Sequence, residues 1–390
     1  MTTDGPGRRR VLITCGVFEP GFRGGGPVRS VAQIVDTVPE DIEVTLVTRD
    51  RDVGRSPAYP GLSGSWVRRS PRCRVFYLNA ARPGQWLRLY RELRATPFDL
   101  LYVNSLWALY TVLAVVAVRL GVIRVNGILL APRGELSPGA LSLKSVKKRL
   151  FLAWWAPFLR RAGVRWHATG EREAAEIRAA CPWADVEIND DCTGLPMEPV
   201  AGSGHEGPSR LVFISRICAK KNLALVLQAL QGISRPVVFD IYGPAEDARY
   251  WSRCRSLIDK LPPTVAVRYR GELPPARVRD AFAGYDAFVF PTLGENFGHV
   301  IAESLSASCP VICSDTTPWT PVLAAGGGAI FSPPDVASLR RELERLAAMS
   351  PAQRLAARND AGRAYRLWRG RVHAQNILEQ AGRVGTPVLR

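Results

Sequence analysis

Four charged side chains in the second half of this 390-residue chain have the types and the setting to handle a phosphorylated carbohydrate. Glu295 and Glu303 stand eight apart in Gly294-Glu-Asn-Phe-Gly-His-Val-Ile-Ala-Glu303. That stretch follows an apolar run, Asp286–Phe290, and reads as a loop opening into a helix over Val300–Ala307. A helix start offers unpaired N–H groups and a partial positive charge to an anion, while carboxylates beside it accept hydrogen bonds from vicinal hydroxyls of a ribose or hexose. Upstream, Ser215-Arg-Ile-Cys-Ala-Lys-Lys-Asn222 puts Arg216 and Lys221 in a polar loop. A departing nucleoside diphosphate gains charge in the transition state, and preorganised cations stabilise it without a metal. Two glutamates eight apart, or two lysines at a helix start, are common by chance. Spacing alone does not separate a site from a solvated face.

The elements that would position these residues occur twice. Arg10–Cys15 is a strand-like run followed by a glycine-rich loop, a helical pattern over Val28–Val38 and a second strand, Ile42–Thr48. About 200 residues on, Leu211–Ser215, the loop Arg216–Lys221, a helix over Asn222–Leu230 and the strand Val237–Tyr242 repeat the plan. Strand, loop, helix and strand in this order begin a doubly wound α/β unit, whose ligands lie beyond the strand C-termini. Further strands are expected at Val265–Tyr269, Ala287–Phe290 and Pro310–Ser314. The Gly- and Pro-rich run Glu198–Pro208 lacks apolar periodicity and reads as a linker. The expected organisation is a first domain over 1–198, a linker over 199–208 and a second domain over 209–365. Residues 366–390 form a terminal helical segment, with Trp368, Val372, Ile377 and Leu378 as apolar positions in an amphipathic stretch Arg363–Val384.

With both motifs in order, the chain resembles the family-4 retaining glycosyltransferases, including the capsule and lipopolysaccharide group 1 transferases. Glu295, Glu303, Phe297-Gly298 and Phe290-Pro291 match that family's E-x7-E region, and Arg216 and Lys221 match its Arg-x4-Lys loop. The resemblance implies a GT-B fold: two Rossmann-like domains facing across a cleft, with the C-terminal helix crossing back to the first. It also implies transfer of a sugar from a UDP- or GDP-sugar to an acceptor hydroxyl with retention, by same-face attack. In that scheme Arg216 and Lys221 hold the diphosphate, Glu295 orients the donor sugar, and Glu303 binds ribose hydroxyls. Gly243, in Ile241-Tyr-Gly243, and Gly271-Glu-Leu273 would flank the donor, with Leu273 near the nucleobase. No cofactor and no metal are expected.

In the first domain, Gly24, Gly25 and Gly26 precede a helix and allow close approach of backbone to a phosphate or sugar. The loop is not G-x-G-x-x-G, which argues against a dinucleotide despite Asp50 after the second strand. Where many relatives place a histidine near the donor sugar, this chain reads Ala131-Pro-Arg-Gly-Glu135. Arg133 stays protonated and cannot act as a base, so its expected role, with Asn104, is contact with the sugar or an acceptor phosphate. His167 is expected to be a packing residue.

Apolar residues at 47% and charged residues at 22% describe an ordinary globular protein. The eight scattered cysteines contain no CxxC pair, as befits reduced thiols in a cytoplasmic protein. No secretory leader is evident, and the uncharged run Leu100–Val118 divides into a strand, Leu100–Asn104, and a helix, Trp107–Leu120. The net charge of +17 is concentrated: Arg51–Arg165 holds 20 Lys and Arg against four acids. Such a field attracts polyanions, anionic membranes or phosphorylated substrates, although no nucleic-acid-binding signature is present. Lys144–Arg165 mixes cations with Phe151, Trp154, Trp155 and Phe158, a composition suited to a membrane interface, with Pro157 expected to interrupt the helix. Two acceptor classes stay open at this point: a lipid-linked glycan at the inner membrane surface, and a soluble small molecule such as an antibiotic or pseudosugar. A silent binder of sugar nucleotides or nucleic acid is the reading of another class.

Overall fold

Both predicted β-α-β repeats become sheets covered on two faces. The computed structural model describes residues 8–54, 56–137, 140–141, 145–191, 193–371 and 375–381. The chain divides into two units, Met1–Thr193 with Ala374–Arg390, and Gly194–His373.

Unit 1 contains β1 (Arg9–Thr14), β2 (Ile42–Arg49), β3 (Trp66–Ser70), β4 (Cys73–Leu78), β5 (Phe98–Asn104), β6 (Val125–Ala131), β7 (Arg165–Ala168) and β8 (Val186–Ile188). They assemble in the order β3-β4-β2-β1-β5-β6-β7-β8, and only the β3–β4 pair is antiparallel. Helices α1 (Gly26–Asp36), α2 (Pro83–Ala95), α3 (Leu109–Arg119), α4 (Ser145–Arg161) and α5 (Glu171–Ala180) cover it. Alternate strand residues feed opposite layers: Leu101 and Val103 join one core, Leu100 and Tyr102 the other. A parallel sheet buried on both sides needs this near-continuous apolar sequence.

Unit 2 contains β9 (Ser209–Ile214), β10 (Val237–Tyr242), β11 (Val265–Gly271), β12 (Ala287–Phe290), β13 (Val311–Ser314) and β14 (Gly328–Phe331), all parallel in the order β11-β10-β9-β12-β13-β14. Its helices include α6 (Leu223–Leu230), α7 (Ala248–Ile258), α8 (Pro275–Phe282), α9 (His299–Ser306), α10 (Val336–Ala347) and α11 (Pro351–Arg371). Arg358 of α11 is only 1% exposed; it donates to the carbonyls of Ala283 (2.8 Å) and Ala307 (3.5 Å), at the ends of α8 and α9. Terminal helical carbonyls are thereby satisfied, and α9 is fixed in place.

The strands from β4 to β7 and those from β11 to β14 share the doubly wound 3-2-1-4-5-6 order. Winding therefore reverses between β1 and β5, and again between β9 and β12. Loops leaving such neighbours splay to opposite faces and open a crevice.

Two boundaries differ from expectation. Residues 199–208 belong to unit 2: Val200 N–H donates to Ser306 O at 2.8 Å, and Arg354 donates to the carbonyls of His205 (3.0 Å) and Gly207 (3.1 Å). The segment lacks apolar periodicity because polar contacts attach it: these backbone groups, and the His205 side chain, whose Nε2 lies 2.9 Å from Asp286 Oδ2. The helix expected over Arg363–Val384 starts earlier, at Pro351, and ends at Arg371 in unit 2. Ile377 and Leu378 lie in a separate short helix, α12 (Ile377–Ala381), buried in the core of unit 1. Val372, Val384 and Cys192 fall outside the described residues. The seven described cysteines are free thiols. No helix among the described residues is long and apolar enough to cross a membrane; the run Leu100–Val118 divides into β5 and α3.

Candidate functional site

The loops that leave β9 and β12, on either side of the reversal in unit 2, are joined. After β9, Ala219–Lys221 forms one 3-10 turn, closed by Asn222 in the left-handed region (φ 58°). That turn folds Lys221 inward until it is 8% exposed. Its Nζ meets the Glu295 carboxylate and lies 5.1 Å from the centre of the Phe290 ring. Glu295 also accepts from the Thr292 hydroxyl at 2.8 Å, and Leu293 N–H donates to Lys220 O at 2.9 Å. The loop after β13 adds to the joint, since Thr316 donates to Thr292 O at 2.8 Å.

Electrostatics follow from these contacts. Burial acts to raise the Glu295 carboxyl, but Lys221, the Thr292 hydroxyl and Lys220 outweigh it and hold the group below the usual carboxylate range. Burial, reinforced by Lys221 and Arg216, lowers Lys220 despite Glu295. The site is a concentration of cations around one ionised carboxylate.

Arg216 stands near the start of the same loop, just after β9. It pairs with Glu246 at 2.9 Å, and both side chains are more than a third exposed. Beneath it, Gly243 has φ 132°, and a Cβ there would fall 1.8 Å from Ser215 O. Glycine at this position lets the turn after β10 press against the start of the Arg216 loop. Gly243 N–H donates to Gly271 O (2.8 Å), linking the ends of β10 and β11, and Leu273 packs partly buried on the core. Gly298 (φ 88°) caps α9, and Glu303 sits within that helix, 8% exposed. Phe297 faces its own unit: its ring lies 5.7 Å from that of Trp319 and 6.3 Å from that of Trp368, and its carbonyl accepts from Trp319 Nε1 at 2.6 Å. Phe297 is partly buried, and two tryptophans distant in sequence pack beside it.

In unit 1, Gly25 (φ 71°) caps α1, and the preceding loop is held by Asp52, which accepts from Phe22 N–H (2.9 Å) and Arg23 N–H (3.2 Å). Gly26 opens the helix. Arg133 differs from expectation. Its side chain is 4% exposed and donates to Asp191 (2.6 Å), Tyr102 (2.7 Å) and Asn104 Oδ1 (3.1 Å). Asp191 also accepts from Ser30 of α1 at 2.6 Å. A left-handed backbone (φ 55°) turns Arg133 back into the unit rather than outward. Asp191 is the partner that sequence reasoning missed; 58 residues of separation carried no signal.

The network continues to His167. Its Nε2 lies 2.9 Å from the Asn189 carbonyl and must donate, so Nδ1 accepts from Tyr102 at 2.8 Å. Burial, then Arg133, pushes this imidazole down to about 4, so it is neutral at physiological pH. Asn104 Nδ2 is buried without a hydrogen-bond partner among the described residues. That leaves an unpaired amide NH2 group at the C-terminal end of β5.

Comparison with known proteins agrees with this architecture. Residues 201–364 match the family of Glycosyl transferases group 1. O-antigen chain mannosyltransferase B of Escherichia coli is 28% identical over 131 residues, covering 32% of this chain and 33% of that protein. The match therefore spans about a third of that relative's length. Sucrose-phosphate synthase from Thermosynechococcus elongatus superposes with a TM-score of 0.72 at 17% identity, covering 96% of this chain and 98% of that one. Anabaena HepE, solved with UDP and glucose, superposes with a TM-score of 0.70 at 15% identity, covering 97% and 100%. Identities this low speak to fold, and the fold is GT-B, as the sequence motifs implied. The residues that match the group 1 family, 201–364, fall within the second unit.

Proposed function

We propose that the protein is a retaining glycosyltransferase that moves a hexose from a UDP- or GDP-sugar to an acceptor hydroxyl during assembly of a lipid-linked or O-antigen-type glycan. Support for the donor class comes from HepE, solved with UDP and glucose, and support for the pathway from the E. coli mannosyltransferase. The observation that carries the reading is the meeting of Lys221 and Glu295 where strand order reverses in a group 1 domain.

Lys221 and Arg216 hold the leaving diphosphate, and Arg216 exchanges its exposed partner Glu246 for phosphate oxygens. Glu295, kept ionised, orients hydroxyls of the donor sugar, and Glu303 accepts from ribose hydroxyls. In unit 1, the backbone at Gly25 and Gly26 is suited to a phosphate or sugar. The acceptor oxygen attacks C1 on the face the diphosphate leaves, and a donor phosphate oxygen takes the acceptor proton. No step in this scheme calls on a metal or cofactor.

The same reading places the enzyme peripherally on the anionic cytoplasmic membrane surface through α4. That helix runs on through Pro157. It buries Trp155 and Leu159 but leaves Val146 (64%), Leu150 (69%) and Trp154 (57%) exposed at four-residue intervals, beside Lys147, Arg149, Arg160 and Arg161. Lys144 lies outside the described residues. An apolar stripe edged by cations suits an anionic interface.

A thermal-shift panel of UDP-, GDP-, ADP- and dTDP-sugars tests the donor assignment: stabilisation by a UDP- or GDP-sugar is expected, and no response to any of them would sink it. Sedimentation with phosphatidylglycerol vesicles tests the membrane assignment. Leu150→Ser/Trp154→Ser should bind at least about tenfold more weakly than wild type, given the apolar area it removes.

A further inference from the structure

The arginine excess of unit 1 gathers at a place the proposed chemistry does not use. An open recess of about 320 Å³ lies among Arg10, Arg68, Arg72 and Arg74, with Glu43 the one carboxylate in its lining. Buried Val44, Cys73 and Phe98 close its floor, and Thr45, Ser70 and Thr96 add small polar groups. Arg10, Val44, Cys73 and Phe98 stand at the N-terminal ends of β1, β2, β4 and β5. The loops bearing Gly25 and Asn104 leave the opposite ends, roughly 20 Å away for strands of this length.

Three features mark the recess as built for an anion. Arg68 and Arg74 face each other directly across the β3–β4 pair, an arrangement of like charges that is unfavourable unless something negative lies between them. The Arg74 guanidinium is already oriented, 4.5 Å over the Trp66 ring and 3.2 Å from Thr45 Oγ1. Glu43 gives little compensation, because its carboxylate is paired with Arg8 at 3.2 Å. Arg72 has its nearest acid in Glu40, at 3.8 Å and almost fully exposed.

We infer that this recess binds a soluble anion carrying two or more phosphates. One phosphate accepts the forks of about two guanidiniums, so four arginines around one site call for more than one phosphate group. Occupancy relieves the Arg68–Arg74 repulsion and stabilises the β3–β4 edge of unit 1. This site is independent of the donor loops.

Titration calorimetry of the full chain with inorganic tripolyphosphate tests the inference. Lys221→Ala, which weakens the donor loops, should retain saturable binding. In that same background Arg68→Ser/Arg72→Ser should weaken binding at least about tenfold, given the strength of charge-assisted hydrogen bonds. Arg74→Ser, also in that background, provides a second reading should the double substitution fail to fold. Loss of all saturable binding in Lys221→Ala, or affinities within about twofold between Lys221→Ala and the recess variants, would overturn the assignment.

Discussion

Replacing Lys221 by alanine tests the proposed site and its electrostatics together. The substitution removes a buried ammonium from a carboxylate that is itself largely buried. Breaking a buried ion pair by removing one partner costs about 3–5 kcal/mol. Here the Thr292 hydroxyl and Lys220 remain beside Glu295, so about 2–3 kcal/mol is expected, a melting decrease of roughly 5–10 °C for a unit of this size. In the wild type the Glu295 carboxyl sits below its unfolded value of about 4.3, so its contribution to stability is complete above that value and fades as pH falls through the folded one. Without Lys221 burial dominates, and the folded carboxyl titrates above its unfolded value. The variant's deficit should then be full near pH 7.5 and shrink towards pH 5, as protonation removes the stranded charge. Sugar transfer or donor hydrolysis should drop by about 10²–10³, the loss typical of one preorganised charge-stabilising group. Melting curves at the two pH values and a donor-turnover assay read both effects. Equal melting of the two proteins at pH 7.5, or wild-type turnover by the variant, would refute the reasoning.

Gly243→Ala should lower the melting temperature of unit 2 and weaken nucleotide-sugar binding together, because its Cβ would meet Ser215 O and push the Arg216 loop aside; calorimetry and donor titration check this. Arg133→Met should cost unit 1 about 3–5 kcal/mol by leaving Asp191 buried without its cation, measured by denaturant unfolding. In that variant His167 should titrate above its present position of about 4 yet below an ordinary histidine, since burial outranks Arg133 as the cause; proton NMR of the imidazole reads it.

The doubly wound plan was legible because sheets buried on both faces leave long apolar runs with glycine-rich or polar loops at their ends. Ala287–Phe290 was placed to the residue for that reason. Edge strands gave no such signal: β3 reads Trp-Val-Arg-Arg-Ser and stays half exposed, and β8 has three residues. The meeting of the Lys221 and Glu295 loops was readable from motif order and strand position. The partners of Arg216 and Arg133 were not, since Glu246 and Asp191 are recruited by tertiary folding and no periodicity announces them. The boundary at 199–208 misled because a segment held by polar contacts, its backbone groups and the His205 ring, resembles a free linker in composition.

The return of α12 to unit 1 has a consequence for how the chain matures. Ile377, Leu378 and Ala381 fill the layer beneath α1, and Asn376 donates to Ile34 O (2.8 Å) and Thr37 Oγ1 (2.9 Å) there. During synthesis that layer must wait, open to water, until some 180 intervening residues have left the ribosome. The contiguous second unit can complete its folding first, and the amino-terminal one is sealed last.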